Sequence, residues 1–262
     1  MASDLDALVF DANDPVGLAT FWAGVLGRQV DAGGTVVVPG TPTEFAIRFV
    51  PTTAPKDVPN QMHFDLTSSS LQDQQETVAR ALELGGRHLD IGQGPEVEHV
   101  VLADPEGNEF CVIEPGNNFL AGCGTIGALS SDGSQAVGYF WSEALGWPLV
   151  WDQDEETAIQ SPRGGSKISW GGPPVRPKTS RNRLHLHLVP SDGGAADDEV
   201  ARLVALGATR PDEDDASRAG EDASGAGDVA ARAGEDPAAA ACRADGWTPL
   251  LDPDGNELCV RG

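Results

Sequence analysis

Two short strand-like runs place groups capable of acid–base or ligand chemistry at matching positions: Met62-His63-Phe64-Asp65-Leu66 and Leu184-His185-Leu186-His187-Leu188. Alternation along a strand puts His63 and Asp65 on one face of the first run, and His185 and His187 on one face of the second. An imidazole changes charge near neutral pH, so each run could hydrogen-bond a ligand or supply a general base. The pair His185 and His187 is the best local sign of such chemistry, and His63, His185 and His187 are the candidate catalytic residues. Two cysteines, Cys111 and Cys259, sit in later strand-like runs. Histidine with cysteine suits a soft metal such as zinc. A cysteine among Phe, Val and Ile ordinarily behaves as a small buried hydrophobe, and that reading is preferred for both. Cys123 and Cys242 lie outside these strands and carry no argument.

Each of those two cysteines closes a phrase that occurs twice. The copies are Asp104-Pro105-Glu106-Gly107-Asn108-Glu109-Phe110-Cys111-Val112 and Asp252-Pro253-Asp254-Gly255-Asn256-Glu257-Leu258-Cys259-Val260. Other landmarks recur in the same order. Phe21-Trp22 is answered by Phe140-Trp141, Pro55-Lys56 by Pro177-Lys178, and Asn60 through Leu66 by Asn182 through Leu188. The offset is 119 at Phe21/Phe140, 122 at His63/His185 and 148 at Asn108/Asn256. The chain is therefore a duplicated unit with one large insertion in its second copy. Two domains are expected, residues 1–117 and 118–262. The insertion falls at about residues 211–240, a stretch of Ala, Gly, Asp and Glu without an aromatic residue. Such a composition can bury little, so a surface loop is expected there, with a lid as the alternative.

The positioning elements are legible from punctuation. Leu5 to Asp11 reads as a strand. Asp14 is an N-cap, Pro15 a first helical residue, and Gly27 a stop, which predicts a helix carrying Leu18, Phe21, Trp22 and Val25. β-rich runs follow at 28–31, 35–38 and 44–50, and the pattern restarts with a strand over Met62 to Thr67. A second helix over Leu71 to Leu84 is expected to present Leu71, Gln75, Val78 and Leu82, stopping at Gly85-Gly86. Strands at 98–103 and 109–114 flank a tight turn in which Pro105 presets one dihedral and Gly107 supplies a positive φ.

The formal charge of −24 argues against nucleic acid, whose binding rests on Lys and Arg neutralising phosphates. It fits an acidic solubilising surface, and it would attract a cationic ligand. No apolar stretch is long enough to cross a bilayer, and no signal peptide stands at the N-terminus. Four cysteines do not make a disulfide framework. A cytoplasmic protein with neither a nucleic-acid nor a membrane partner is expected.

The order strand, helix, three strands, with Phe-Trp before Leu-Gly and Asp-Pro-x-Gly-Asn before the last strand, resembles the vicinal oxygen chelate superfamily. That group holds glyoxalase I, bleomycin-resistance proteins and extradiol dioxygenases. The resemblance implies an α+β fold of tandem βαβββ modules, two per half, forming two curved mixed-sheet clefts with helices outside. It also implies metal-ligand positions in the opening strand, the central strand and the last strand. In this sequence they are Ala7, His63 and Cys111, and then Ile126, His185 and Cys259. Alanine and isoleucine donate nothing, so no metal and no other cofactor is expected.

By alternation, Asp11, Ala46, Arg48, Asp65 and Ile113 should line the first cup, and Ser130, Ile168, Trp170 and Arg261 the second, with Arg48 able to pair with Asp65. The candidate ligand-binding residues are thus Asp11, Arg48, Asp65, Cys111, Ser130, Trp170 and Cys259. With Trp170 as a stacking surface, these suit a small organic molecule, aromatic or cationic. Two functions follow. One is metal-independent binding, as in the drug-sequestering members of the superfamily. The other is an enzyme: a cofactor-free lyase, isomerase or cyclase using the histidines, or a metal-dependent lyase or dioxygenase with an altered Cys/His site. Four modules in one chain permit a monomer, and a homodimer remains open.

Overall fold

The punctuation read above is realised in a computed structural model, which describes residues 2–94, 96–211 and 242–262. Apart from Pro211, the acidic segment at 211–240 lies outside the described residues. The first copy runs β1 (Ser3–Ala12), α1 (Pro15–Leu26), β2 (Val36–Val37), β3 (Ala46–Pro51), β4 (Met62–Leu66), α2 (Leu71–Glu83), β5 (Arg87–His88), β6 (Val100–Ala103) and β7 (Glu109–Val112). The second runs β8 (Ile126–Ser131), α3 (Gln135–Leu145), β9 (Leu149–Gln153), β10 (Glu156–Gln160), β11 (Lys167–Trp170), β12 (Leu184–Pro190), α4 (Ala196–Leu206), β13 (Thr248–Leu251) and β14 (Glu257–Val260). Asp14 caps α1 by accepting from the Gly17 amide, and Gly27 closes it with φ of 64°. Ser134 and Gly146 do the same for α3.

The sheets are not divided as the repeat divides the chain. One has six strands in the order β13-β14-β12-β1-β3-β2, and the other has eight in the order β5-β6-β7-β4-β8-β11-β10-β9. The expectation that the two modules of one half share a sheet is corrected: the first module pairs with the fourth and the second with the third. Antiparallel β1–β12 and β4–β8 are the seams. Two equal copies carry no sequence mark saying which module pairs with which.

The helix-facing sides of both sheets merge into one core around Phe10, Trp22, Phe64, Phe110 and Trp141. Trp22 lies edge-on to Phe64 at 5.1 Å and to Phe110 at 4.9 Å between ring centroids. Two expectations of facing fail here. Helix α2 buries Gln74, Thr77 and Ala81, while Leu71 and Leu82 are exposed. The Gln74 amide donates to the carbonyls of Glu98 and Val112, which places that side of the helix on the sheet. Ile168 and Trp170 also belong to the core, not to a cleft. Ser130 pairs with Ser169 and Ala128 with Lys167, so Lys167 and Ser169 take the cleft side of β11.

The repeated phrase owes its form to one buried carboxylate. Asp104 accepts from the amides of Glu106 and Asn108, from the Asn108 side chain at 2.8 Å, and from Trp22 Nε1 at 3.2 Å. Asp252 accepts in the same way from Asp254, Asn256 and Trp141 Nε1, the last at 3.1 Å. Each helix is thereby bonded to its hairpin turn. Asn60 and Asn182 donate to the turn residues Asn108 and Asn256, while Lys56 and Lys178 pair with Glu109 and Glu257. The Pro-Lys and Asn landmarks are thus the other side of the same anchor.

Burial pushes both carboxyls up to about 6, against hydrogen bonds that pull them down. A carboxyl raised in the folded state binds more protons there than in the unfolded chain. Its contribution to stability therefore falls as pH rises from about 4 to about 6. Asp104→Ala should cost about 3 kcal/mol at pH 7, because it strands a buried indole N–H and the turn amides. Asp104→Asn should flatten the dependence between pH 4 and 6. Urea unfolding across that range checks both, and an unchanged Ala variant would show that the turn is not anchored in this way.

Candidate functional site

The face of each sheet turned away from the helices carries one cluster of donors. In the eight-stranded sheet, parallel pairing of β4 with β7 sets Asp65 opposite Cys111, and antiparallel β8 brings Ser130 opposite His63. Donor atoms of His63, Asp65 and Cys111 lie within 4.8 Å of one another. His63 Nε2 is 3.5 Å from Asp65 Oδ1, and Ser130 Oγ donates to Asp65 Oδ2 at 2.5 Å. Burial opposes charging His63, but hydrogen bonds and Coulomb attraction from Asp65 and Cys111 win and raise its pKa to about 10. The imidazole is therefore a held cation at neutral pH. Thr67 and Ile113 follow Asp65 and Cys111 by two residues, so they share the same face. There they line a cavity of about 350 Å³, with Asn117 and Leu120 of the loop that follows.

In the six-stranded sheet, β12 pairs with β14 so that His187 stands opposite Cys259, and with β1 so that His185 stands opposite Val9 and His187 opposite Ala7. His185, His187 and Cys259 form the equivalent cluster and are all buried. The two Nε2 atoms face each other at 3.2 Å. Burial, with the positive charges of Arg181 and Lys178, holds His185 well below its ordinary pKa. Burial and the guanidiniums of Arg48, Arg181 and Arg261 bring His187 to about 3. Both rings are therefore neutral, in contrast to His63. Trp247 covers them, 4.0 Å from the His187 ring, with Arg261 at 4.4 Å and Arg48 at 5.8 Å from its own ring. Cys242 is joined to Cys259 in a disulfide, a partner that its position outside the strands concealed.

The predicted cups are redistributed accordingly. Asp11, Ala46, Arg48 and Arg261 go to the six-stranded sheet, and Asp65, Ile113 and Ser130 to the eight-stranded one. Asp11 bonds Arg181 at 3.0 Å and stands 4.0 Å from His185 Nδ1. Arg48 pairs with Asp6 at 3.2 Å, since Asp65 is in the other sheet. Trp170, in the core, touches neither cluster. Trp247 was missed because it follows the acidic segment, outside the aligned repeat. Ile126 is likewise not the counterpart of Ala7. Ala7 lies opposite His187 and Ala46, and Ala128 lies opposite Asp65 and Lys167. The counterpart is thus Ala128, and neither opening strand offers a donor. Three potential donors nevertheless converge in each cluster, because Asp65 and His187 stand beside the histidine and cysteine of the family positions. Their sulfur and nitrogen content fits a soft ion, not the oxygen-rich coordination of a dioxygenase-type metal.

A glyoxalase-like domain model matches residues 7–113 and 128–261, both copies of the repeat. The chain belongs to the glyoxalase-like domain family. No curated protein sequence matches it. Among solved structures, glyoxalase I from Zea mays shares 12% identity over 99% of this chain and 92% of its own, with a TM-score of 0.58. A proposed dioxygenase from Bacillus subtilis subsp. subtilis str. 168 shares 12% identity over 98% of this chain and 84% of its own, with a TM-score of 0.51. At these identities the likeness is one of fold, the tandem vicinal oxygen chelate arrangement. In this glyoxalase-like chain, no helix among the described residues is long and apolar enough to cross a membrane.

The charge state of His63 is directly measurable. Asp65→Asn removes its main anionic partner and leaves burial opposed by Cys111 alone, so the His63 midpoint should fall from about 10 toward neutral pH. Imidazole NMR titration reads this. A midpoint unmoved by Asp65→Asn would show that the carboxylate does not hold the proton.

Proposed function

We propose that this glyoxalase-like protein binds a small organic molecule in the cleft of the eight-stranded sheet, without a metal site of the family type. The observation that carries the reading is a cavity of about 350 Å³ lined by Thr67 and Ile113, each two residues beyond a member of the cluster of His63, Asp65 and Cys111. That volume is within the range of small-molecule sites, and its walls combine apolar Ile113 and Leu120 with the polar groups of Thr67 and Asn117. A protonated His63 offers an N–H to a carbonyl, enolate or carboxylate oxygen on the ligand, whose apolar body rests on Ile113 and Leu120. The aromatic-stacking rationale goes with Trp170 into the core. Both sheets are completed within one chain, so a monomer suffices.

A second reading is favoured by the same proton. A charged imidazole held beside Asp65 can give its proton to a substrate oxygen or carbanion, the step a cofactor-free lyase or isomerase requires. The candidate catalytic residue is then His63, with Asp65 and Ser130 positioning it.

Native mass spectrometry of the purified full chain, before and after incubation with a panel of small carbonyl and carboxylate compounds, tests binding. Leu120→Trp should abolish adducts by filling the cavity, and His63→Ala should weaken them at least tenfold, about 1.4 kcal/mol. Adducts equal in all three proteins would overturn the site. Conversion of a bound compound that stops in His63→Ala would favour the enzyme.

A further inference from the structure

The cluster in the six-stranded sheet differs from its counterpart in holding two buried imidazoles side by side, and neither Nδ1 has a hydrogen-bond partner among the described residues. Two imidazoles whose Nε2 atoms stand 3.2 Å apart share at most one hydrogen bond between those nitrogens. Both Nε2 atoms are thus close enough to be met by a single ion. Two nitrogens bound tetrahedrally to one zinc stand about 3.3 Å apart, close to the separation seen here. Cys259 Sγ lies within 4.8 Å of both, and Cys242 Sγ is bonded to it. All four residues are buried.

We propose that, once its cysteines are reduced, the chain holds one zinc ion between His185, His187, Cys259 and Cys242. Two of these donors, His187 and Cys242, stand at none of the positions that the family resemblance assigns to a metal. Cys242 comes from the first described residue beyond the acidic segment, so the ion would tie that end of the insertion to β12 and β14. The α carbons of Cys242 and Cys259 are 7.2 Å apart. That is wider than the about 4.4–6.8 Å usual for a disulfide, and two thiolates sharing one ion tolerate it. Charge balance also fits. Zinc with two thiolates and two neutral imidazoles is neutral, so the guanidiniums of Arg48, Arg181 and Arg261 do not oppose it, and they favour the thiolates. A dithiol reductant supplies the two electrons and two protons that turn the disulfide into two thiols, itself becoming a cyclic disulfide. Zinc binding then releases the two thiol protons.

The test uses the full chain, reduced with a dithiol, loaded with zinc, and freed of loose metal by desalting. One zinc per chain is expected by elemental analysis, retained in Cys111→Ser and lost in His187→Ala and Cys242→Ser. Cobalt(II) in place of zinc should show a thiolate charge-transfer band with tetrahedral d–d absorption in the unaltered chain, a readout independent of whether the variants fold. Absence of both retained zinc and that band would overturn the proposal, as would zinc retention indifferent to His187→Ala and Cys242→Ser. Such a failure would leave the ligand reading intact, because that reading rests on Thr67, Ile113 and His63 of the other sheet.

Discussion

Everything at the two clusters depends on a buried carboxylate in a hairpin turn. Asp104 and Asp252 each bond a tryptophan of the preceding module's helix and the amides of their own turn. With the turn fixed, the last strand has one register against the central strand: Asp65 faces Cys111 and His187 faces Cys259. A slip by one residue would turn those cysteines toward the core and Phe110 or Leu258 toward the cleft. The anchor is costly, since burial works against both ionised carboxyls. Its return is geometric: two residues distant in sequence are held opposite each other to within one strand spacing.

That anchor also explains why so much was legible. A carboxylate that needs an indole, an asparagine and a following amide prints its requirements into the sequence, as Phe-Trp, Asn and Asp-Pro-x-Gly-Asn, twice and in order. Helix ends were equally readable, because Asp14 and Ser134 cap by local bonds. What stayed hidden was non-local. Pairing of the first module with the fourth leaves no mark, since either copy of β4 or β12 could accept either copy of β1. The faces of β8 and β11 were misjudged because these strands correspond to β1 and β3 at an offset of 121, as Ala7/Ala128 and Ala46/Lys167 show. The offset of 119 at the helix points to Ile126 and the offset of 122 at the histidines points to Trp170, each on the wrong face. Cys242 and Trp247 stood beyond the insertion, where no repeat aligned them.

The two clusters are copies with one substitution of consequence, Asp65 against His187. In the first, a carboxylate beside His63 creates a stable place for a proton, and a cavity opens farther along the same face. In the second, imidazole replaces carboxylate, and burial together with nearby positive charges disfavours a proton on both rings. Lone pairs that cannot take a proton in a buried, arginine-rich setting can still serve a metal whose charge is met by thiolates.

The division of labour follows from burial. His63 is partly exposed and a cavity opens farther along its face, whereas His185 and His187 are buried, with Trp247 against the His187 ring. A sealed site with four potential donors has no room for a substrate and no free coordination position, which are the marks of a structural centre. An open site with three donors and a neighbouring cavity has both room and a polar head to orient a guest. Duplication thus gave one fold two equivalent clusters, and the identity of one residue, with what covers it, sets a partly exposed imidazole beside a carboxylate in one and a buried pair of imidazoles in the other.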